Sequence, residues 1–289
     1  MTQPVRLVAF DLDDTLAPSK SPLPPEIVTA LMELLTLRPV CIISGGQLEQ
    51  FATQVIAHLP VSPALADLHL MPTNGTWYVS YEGGAWVERY RHVLSPENRA
   101  RALVALEAQA RALGLWEERT WGPILEDRGS QVTFSALGQD APVAAKRAWD
   151  PGGAKRARLR DAVAPLLPDL DVHAGGSTSI DITKKGIDKA FGVGQLARLL
   201  NLDPADILFV GDRLMPGGND YPVLRLGVQT HAVTGWPDTL AFLRRLLPEL
   251  RSSAAQSAAK SPAGDSTMGK VCAESGRAAG DVRAPSEEG

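Results

Sequence analysis

The sequence predicts an α/β protein: a Rossmann-like core with a parallel sheet flanked by helices, and an inserted α+β domain with an antiparallel sheet. Near both ends of the chain, short apolar segments alternate with amphipathic helical patterns, which is typical of parallel sheets. Between these parts, apolar and polar residues alternate and a hairpin signal occurs, which is typical of antiparallel strands. We therefore expect a core formed by residues 1–81 and 184–250, and an inserted domain at 82–183.

The first part of the core begins with an apolar strand at residues 5–10 and a helix that opens at Pro24 and Pro25. A second apolar strand at 40–43, a helix at about 47–57 and a strand at about 68–71 continue the pattern. Continuous apolarity indicates strands that are buried on both faces. The second part repeats this order, with a helix at 188–200 and strands at 207–210 and 228–233.

The intervening segment has a different pattern. Strands at 77–80 and 85–90 flank Gly83 and Gly84 as a hairpin, half-buried strands are expected at 131–136 and 178–182, and helices at 99–113 and 154–167. From residue 251 onward, small and polar residues replace the apolar periodicity. Such a segment cannot offset its ordering entropy by burial, so we expect 251–289 to be a disordered tail.

Composition excludes several classes of protein. The 29 Lys and Arg residues and 33 Asp and Glu residues are dispersed, with a net charge of −4, so no cationic face is expected that would bind nucleic acid. No uncharged apolar stretch approaches the roughly 20 residues of a membrane-spanning helix, and the N-terminal apolar run is too short for a signal peptide. Two cysteines form neither a disulfide framework nor a zinc site. We expect a cytoplasmic protein that binds a small molecule, not nucleic acid or membrane.

The strongest chemical signal is Asp11-Leu12-Asp13-Asp14-Thr15, at the carboxyl end of the first predicted strand. Ligands bind at this edge of open α/β sheets. Asp11 would be a nucleophile and metal ligand, and Asp13 a general acid and base that also joins the metal site. Such a proton-transfer group is typically worth ~10²- to 10⁴-fold in rate. The alternative is an acidic turn that caps a helix, with Thr15 as the N-cap; the spacing of an EF-hand loop is absent.

A second signal, Ser44-Gly45-Gly46, follows the second predicted strand. Its hydroxyl and backbone N–H groups suit phosphate oxygens, although an ordinary helix entry has the same composition.

A third signal is acidic: Asp212 follows the strand at 207–210, and Asp220 lies in the next loop. Both carboxylates could meet Asp11 and complete an oxygen-rich magnesium site. The alternative is a loop whose residues were selected for turn geometry.

The fourth signal is basic, where Lys184, Lys185 and Lys189 mark the return of the inserted segment to the core. One ammonium is needed to offset a crowded site of phosphate, metal and carboxylates. Lys189, at the start of a predicted helix, is the candidate, and the other two lysines are expected on the surface.

These signals resemble, in order, the four motifs of the haloacid dehalogenase superfamily of phosphotransferases, over about residues 5–245. The insertion between the second and third motifs is similar to the type C2B cap of subfamily IIB. The resemblance implies a core that binds Mg²⁺, a phosphoaspartate at Asp11, and a cap that selects the substrate. It implies phosphate-binding roles for Thr15, Ser44 and Gly45.

Three further segments are similar to the phosphomannomutase branch of this superfamily: Gly186-Ile187-Asp188-Lys189, residues 216–220 and residues 175–181. The resemblance assigns contacts with a sugar to three cap residues, Arg128, Ser179 and Asp181. One departure is clear: Gly138-Gln139 replaces a Gly-Arg pair, which removes a planar bidentate clamp for phosphate. Lys146 or Arg147 is the candidate to replace another arginine.

A mutase must hold a second phosphate in the cap, so the missing arginine favours a phosphatase. The leading expectation is therefore a Mg²⁺-dependent phosphatase that hydrolyses a sugar phosphate or a similar small phosphorylated metabolite. The alternative is a phosphohexomutase, an isomerase similar to phosphomannomutase. A non-catalytic binding protein is disfavoured because every expected catalytic position is filled. The expected assembly is a monomer, or a homodimer paired through a sheet edge of the cap.

Overall fold

The computed structural model describes residues 4–260, with backbone alone for 254–260. A large sheet has the strand order β11-β10-β1-β2-β3-β4-β5. Its strands are β1 (Leu7–Asp11), β2 (Val40–Ile43), β3 (Leu68–Met71), β4 (Trp77–Glu82), β5 (Ala85–Arg91), β10 (Ile207–Gly211) and β11 (Gln229–Ala232). The five strands from β11 to β3 are parallel, and β4 and β5 continue the sheet in antiparallel pairing.

Helices cover both faces of the large sheet. They are α1 (Pro25–Leu35), α2 (Leu48–Gln54), the single turn α3 (Pro72–Gly75), α7 (Lys189–Leu199) and α8 (Trp236–Lys260). Val8 and Phe10 pack with α1 and α8 on one face, whereas Leu7 and Ala9 pack with α7 on the other. Because side chains alternate along a strand, the continuously apolar β1 serves two cores at once. The predicted α/β fold is confirmed.

A second, antiparallel sheet has the strand order β6-β7-β9-β8. It comprises β6 (Leu125–Asp127), β7 (Gln131–Ser135), β8 (Leu170–Ala174) and β9 (Ser179–Lys184), with helices α4 (Pro96–Ala112), α5 (Val143–Trp149) and α6 (Ala154–Val163). Phe134 and Ile180 face a core that includes Leu106 of α4 and Leu159 of α6. The alternate residues of β7 and β9 are polar, and all of them except Gln131 line a cavity against the large sheet.

Two predicted boundaries differ from the structure. The hairpin around Gly83 and Gly84 is present, but both of its strands extend the large sheet, so the inserted unit begins after Arg91, not at 82. Strand β4 pairs with the edge of β3 that β2 leaves open. Trp77 and Val79 of β4 then join the core of the large sheet. The strands β6 and β8 and the helix α5 were not predicted, because they are short and only partly buried.

The second difference is at the predicted tail. Helix α8 continues to Lys260, so residues 251–260 are helical where disorder was expected. Alanine has the highest helix propensity, and extension of an existing helix avoids the cost of nucleation. The rest of the predicted tail, 261–289, lies outside the described residues. Within residues 4–260, every helix lacks either the length or the apolarity needed to span a membrane.

Candidate active site

The candidate site lies at the carboxyl edge of the large sheet. Asp11 is the last residue of β1, which is paired with β2 and β10. Ser44 directly follows β2, and Asp212 directly follows β10. Because these strands are parallel, their carboxyl ends meet at one edge and bring the three residues together. Lys189 is the first residue of α7, which packs behind this edge.

Three carboxylates gather there: oxygens of Asp11, Asp212 and Asp220 lie within 4.8 Å of one another. Lys189 is 1% exposed and forms ion pairs with Asp11 Oδ1 and, at 2.6 Å, with Asp220 Oδ1. Asp11 and Asp220 are themselves buried. The ammonium therefore compensates part of a buried negative charge.

The electrostatic environment shifts the pKa values of these groups. Burial raises the pKa of Asp11 well above its usual range against the attraction of Lys189, and repulsion from Asp220 and Asp212 raises it further. Burial, with repulsion from Asp220, also raises the pKa of Asp212. Burial alone lowers the pKa of Lys189, but attraction to Asp11 and Asp220 outweighs this effect and raises that pKa. A divalent cation would relieve the same repulsion between carboxylates.

Thr15 is placed differently from its predicted role at the phosphate. Its side chain is fully buried and is not part of the cavity wall. The hydroxyl lies 3.3 Å from Asp11 Oδ2 and 3.5 Å from Asp212 Oδ1. Thr15 is therefore positioned to orient both carboxylates.

Asp13 lines the cavity, but its carboxylate is not in the three-acid group, so it departs from the predicted set of four metal ligands. Instead, Asp13 Oδ1 accepts a hydrogen bond from the Lys20 backbone N–H at 2.7 Å, and Oδ2 accepts one from Gln50 Nε2 at 2.8 Å. The loop that follows Asp13 and the helix α2 thus draw this side chain towards themselves.

The Ser-Gly-Gly turn forms the adjacent part of the wall. Ser44 and Gly45 line the cavity. Ser44 Oγ accepts a hydrogen bond from the Gly46 N–H at 3.2 Å, and the Ser44 carbonyl accepts one from the Asn74 N–H at 2.9 Å. These bonds hold the turn in shape beside Asp11.

The cavity between the two sheets has a volume of about 360 Å³, and all three predicted cap residues line it. Arg128 is 7% exposed, donates to the Gly45 carbonyl at 3.0 Å and pairs with Glu126 at 2.5 Å. Asp181 Oδ1 accepts from Gln131 Nε2 and Thr133 Oγ1, both at 2.8 Å. Burial raises the pKa of Asp181, against the opposing charge of Arg128. Arg128 thus connects the two walls of the cavity.

Sequence reasoning missed several polar residues of the wall. Thr133 could have been found, because it alternates with the apolar residues of β7 and must face away from the core. Lys20, which lines the cavity, had no such signal, and neither had Gln50, which lies behind the wall and donates to Asp13; neither residue lies in a strand that ends at the sheet edge. Gln139 also lines the cavity and donates to Ser135 Oγ at 2.5 Å, and Lys146 Nζ reaches the Gln139 carbonyl at 2.6 Å.

The chain is similar to known phosphomannomutases in sequence. Residues 122–249 match the family model of eukaryotic phosphomannomutase. The phosphomannomutase of Saccharomyces cerevisiae is 26% identical over 258 residues, which cover 84% of this chain and 95% of that protein. That of Spinacia oleracea is 24% identical over 248 residues, which cover 82% of this chain and 94% of that protein.

Solved structures share the fold. The IMP-nucleotidase of Plasmodium falciparum superposes with a TM-score of 0.64 at 15% identity, over 84% of this chain and 70% of that one. A protein related to trehalose-6-phosphate phosphatase superposes with a TM-score of 0.51 at 14% identity, over 86% of this chain and 99% of that one. The chain is thus similar to phosphomannomutases in sequence and to these phosphatases in fold, and it carries the four motifs at the sheet edge.

Proposed function

We propose that this protein is a phosphohexomutase, which moves a phosphoryl group between two positions of a hexose phosphate through Asp11. The observation that carries the proposal is one cavity with cationic groups on both walls, Lys189 on the core side and Arg128 and Lys146 on the cap side. A bisphosphate intermediate needs both walls, because it presents a phosphate at each end. The similarity to proteins named phosphomannomutase, over more than four fifths of this chain, supports this alternative over the phosphatase that the sequence favoured.

In the first step, an oxygen of Asp11 attacks one phosphorus of the hexose bisphosphate, and the bond between that phosphorus and the sugar oxygen breaks to leave a hexose monophosphate. Asp13 gives its proton to that oxygen, so the products are a phosphoaspartate at Asp11, a neutral sugar hydroxyl and the Asp13 carboxylate. In the second step, a sugar hydroxyl attacks the phosphoaspartate and gives its proton to Asp13, which restores both residues. Lys189 stabilises the negative charge that collects around Asp11.

The acidic group fits Mg²⁺. Its donors are all oxygens, as this cation prefers, and three of them lie within 4.8 Å of one another. The buried oxygen Asn219 Oδ1, which has no hydrogen-bond partner among the described residues, belongs to the wall of the same cavity. Asp11, Asp212 and Asp220 would hold the ion, which when bound supplies positive charge to the transferring phosphoryl group.

On the cap side, we assign substrate binding to Arg128, Ser179 and Asp181. Gln131 and Thr133 both donate to Asp181 Oδ1, and no donor to Oδ2 is found among the described residues, so Oδ2 can accept from a sugar hydroxyl. The guanidinium of Arg128 lies next to the Gly45 carbonyl, near the place where the phosphate would bind.

A phosphatase is the second candidate, and Gln139 favours it. The neutral carboxamide of Gln139 donates to Ser135 and brings no charge to a second phosphate. In that case water, not a sugar hydroxyl, attacks the phosphoaspartate, and free phosphate leaves. Lys146 then has no second phosphate to bind.

One coupled assay separates the two candidates. Mannose 1-phosphate is supplied with Mg²⁺, with and without a hexose 1,6-bisphosphate, and both mannose 6-phosphate and free phosphate are measured. Mannose 6-phosphate that depends on the bisphosphate supports the mutase, and stoichiometric phosphate release supports the phosphatase. Asp11→Asn should abolish either activity, and turnover by that variant would reject the phosphoaspartate.

A further inference from the structure

The surroundings of Asp13 point to a residue that no motif contains. Asp13 accepts from the Lys20 N–H at 2.7 Å, from Gln50 Nε2 at 2.8 Å and from Gln54 Nε2 at 3.4 Å. Both carboxylate oxygens therefore have a donor at short distance. Oδ1 faces two of these donors, whereas Oδ2 faces Gln50 alone among the described residues. Since a carboxylate oxygen accepts two hydrogen bonds, Oδ2 keeps one position free for a proton.

Lys20 determines which end of the Gln50 carboxamide faces Asp13. Lys20 Nζ is hydrogen-bonded to Gln50 Oε1. An ammonium only donates hydrogen bonds, so the atom next to it must be the amide oxygen. The NH₂ group of Gln50 consequently points at Asp13 Oδ2 and, at 2.5 Å, at Gln54 Oε1. One side chain thus orients the other.

Two backbone features accommodate the contacts among Asp13, Lys20 and Gln50. Lys20 has a left-handed conformation with φ of 60°, which is unfavourable for a residue with a side chain and persists only where its surroundings hold it. A methyl group at Gly46 would come within 2.2 Å of Gln50 Oε1, so glycine leaves the space that the carboxamide occupies. Gln50 and Gln54 are one turn apart on α2 and present their amides on the same face.

We infer that Gln50, oriented by Lys20, is a positioning residue that holds the carboxyl group of Asp13 for proton transfer to and from the sugar oxygen. The inference rests on the proposed role of Asp13 and adds a residue to it. Without the Gln50 donor, Asp13 Oδ2 loses its one fixed contact among the described residues, and the side chain can rotate away from the sugar oxygen. A misplacement of about 1 Å in such a group can cost ~10²-fold in rate.

The test compares two substrates whose leaving groups differ in their need for a proton. A sugar alkoxide is a strong base and a poor leaving group, so the sugar oxygen must be protonated as it leaves. The p-nitrophenolate ion is a weak base and leaves without a proton. Formation of the phosphoenzyme is followed in a rapid-quench experiment with Mg²⁺, using mannose 6-phosphate and p-nitrophenyl phosphate. For Gln50→Met we expect a drop of about 10- to 100-fold with the sugar phosphate and less than about 3-fold with the aryl phosphate.

Two more variants sharpen the result. Gln47→Met makes the same chemical change at the N-terminal end of α2, outside the cavity wall, and should stay within about 2-fold of the wild type with both substrates. Gln50→Glu keeps the side-chain length and the Lys20 partner but turns an acceptor towards Asp13. Gln50→Glu should therefore lose phosphoenzyme formation with the sugar phosphate but not with the aryl phosphate. This result remains measurable if Gln50→Met folds poorly.

Equal losses with both substrates, or no loss in either Gln50 variant, would overturn the inference. The proposed function fails in a different way. If the wild-type protein forms no phosphoenzyme from either compound, the proposed phosphoaspartate at Asp11 is wrong. The inference about Gln50, which rests on it, is then wrong as well.

Discussion

Replacement of Lys189 by methionine tests the electrostatic balance of the site. Lys189 is 1% exposed and pairs with Asp11 and Asp220, whose oxygens lie within 4.8 Å of those of Asp212. Methionine has a similar length but no charge, so three carboxylates would share a buried site without compensation. Removal of one partner from a buried ion pair typically costs about 3–5 kcal/mol. Since about 1 kcal/mol corresponds to about 2 °C in a protein of this size, the melting temperature should fall by at least about 6 °C.

The assay is thermal unfolding followed by circular dichroism, first in EDTA and then in Mg²⁺. A cation that binds only the folded state stabilises it, and a site with more net negative charge binds a dication more tightly. Mg²⁺ should therefore raise the melting temperature of Lys189→Met more than that of the wild type. Lys184→Met, which removes an exposed lysine near the same helix, is the matched control. Its melting temperature should equal that of the wild type.

Activity supplies an independent measurement on the same variant. Loss of one preorganised positive group beside the transferring phosphoryl group should lower kcat by ~10²- to 10³-fold. If Lys189→Met has the melting temperature of the wild type in EDTA and the same kcat, the ion pairs contribute neither stability nor catalysis. The electrostatic account of the site is then wrong.

Two further predictions concern the core. Burial lowers the pKa of His69 from 6.5 to about 4, so the folded state keeps this group neutral while the unfolded chain binds a proton below pH 6.5. Stability should therefore fall by about 3 kcal/mol as the pH drops from 6.5 to 4, and His69→Gln should flatten this part of the urea-unfolding profile. On α7, a methyl group at Gly192 would lie 2.5 Å from Ile43 Cδ1 and 2.7 Å from the Asn74 carbonyl oxygen, whereas at Gly194 the nearest atom is 3.6 Å away. Gly192→Ala should cost about 1–3 kcal/mol, while Gly194→Ala should gain up to about 1 kcal/mol; destabilisation of both to the same extent would refute the packing argument.

The residues that were predictable are those that topology places. Asp11, Ser44 and Asp212 each stand at the end of an apolar strand, and parallel pairing alone brings strand ends together. A local pattern was enough to find them. Asp181 was predictable only through the family resemblance, because nothing in its own strand indicates which ligand it faces.

The partners of Asp13 were not predictable for a physical reason. They depend on the left-handed conformation of Lys20, which lysine does not favour, and on the rotamer of Gln50. The contact between Thr15 and Asp212 was not predictable either, because the motif shows a hydroxyl beside Asp11 but not the direction in which it points. The β4–β5 hairpin was recognised from its turn, but a turn does not specify which sheet the strands will join.

The chain passes from the large sheet into the inserted unit after Arg91 and returns before Lys189, and the rings of His92 and Phe191 beside these two crossings lie 6.0 Å apart. The nucleophile, the acidic group and the lysine lie outside that insertion. Exchange of residues 92–184 for the corresponding segment of another family member is therefore a practical route to altered substrate preference, since the graft has two junctions and leaves the reacting groups untouched. Such chimaeras would show whether selectivity can evolve by replacement of a whole module.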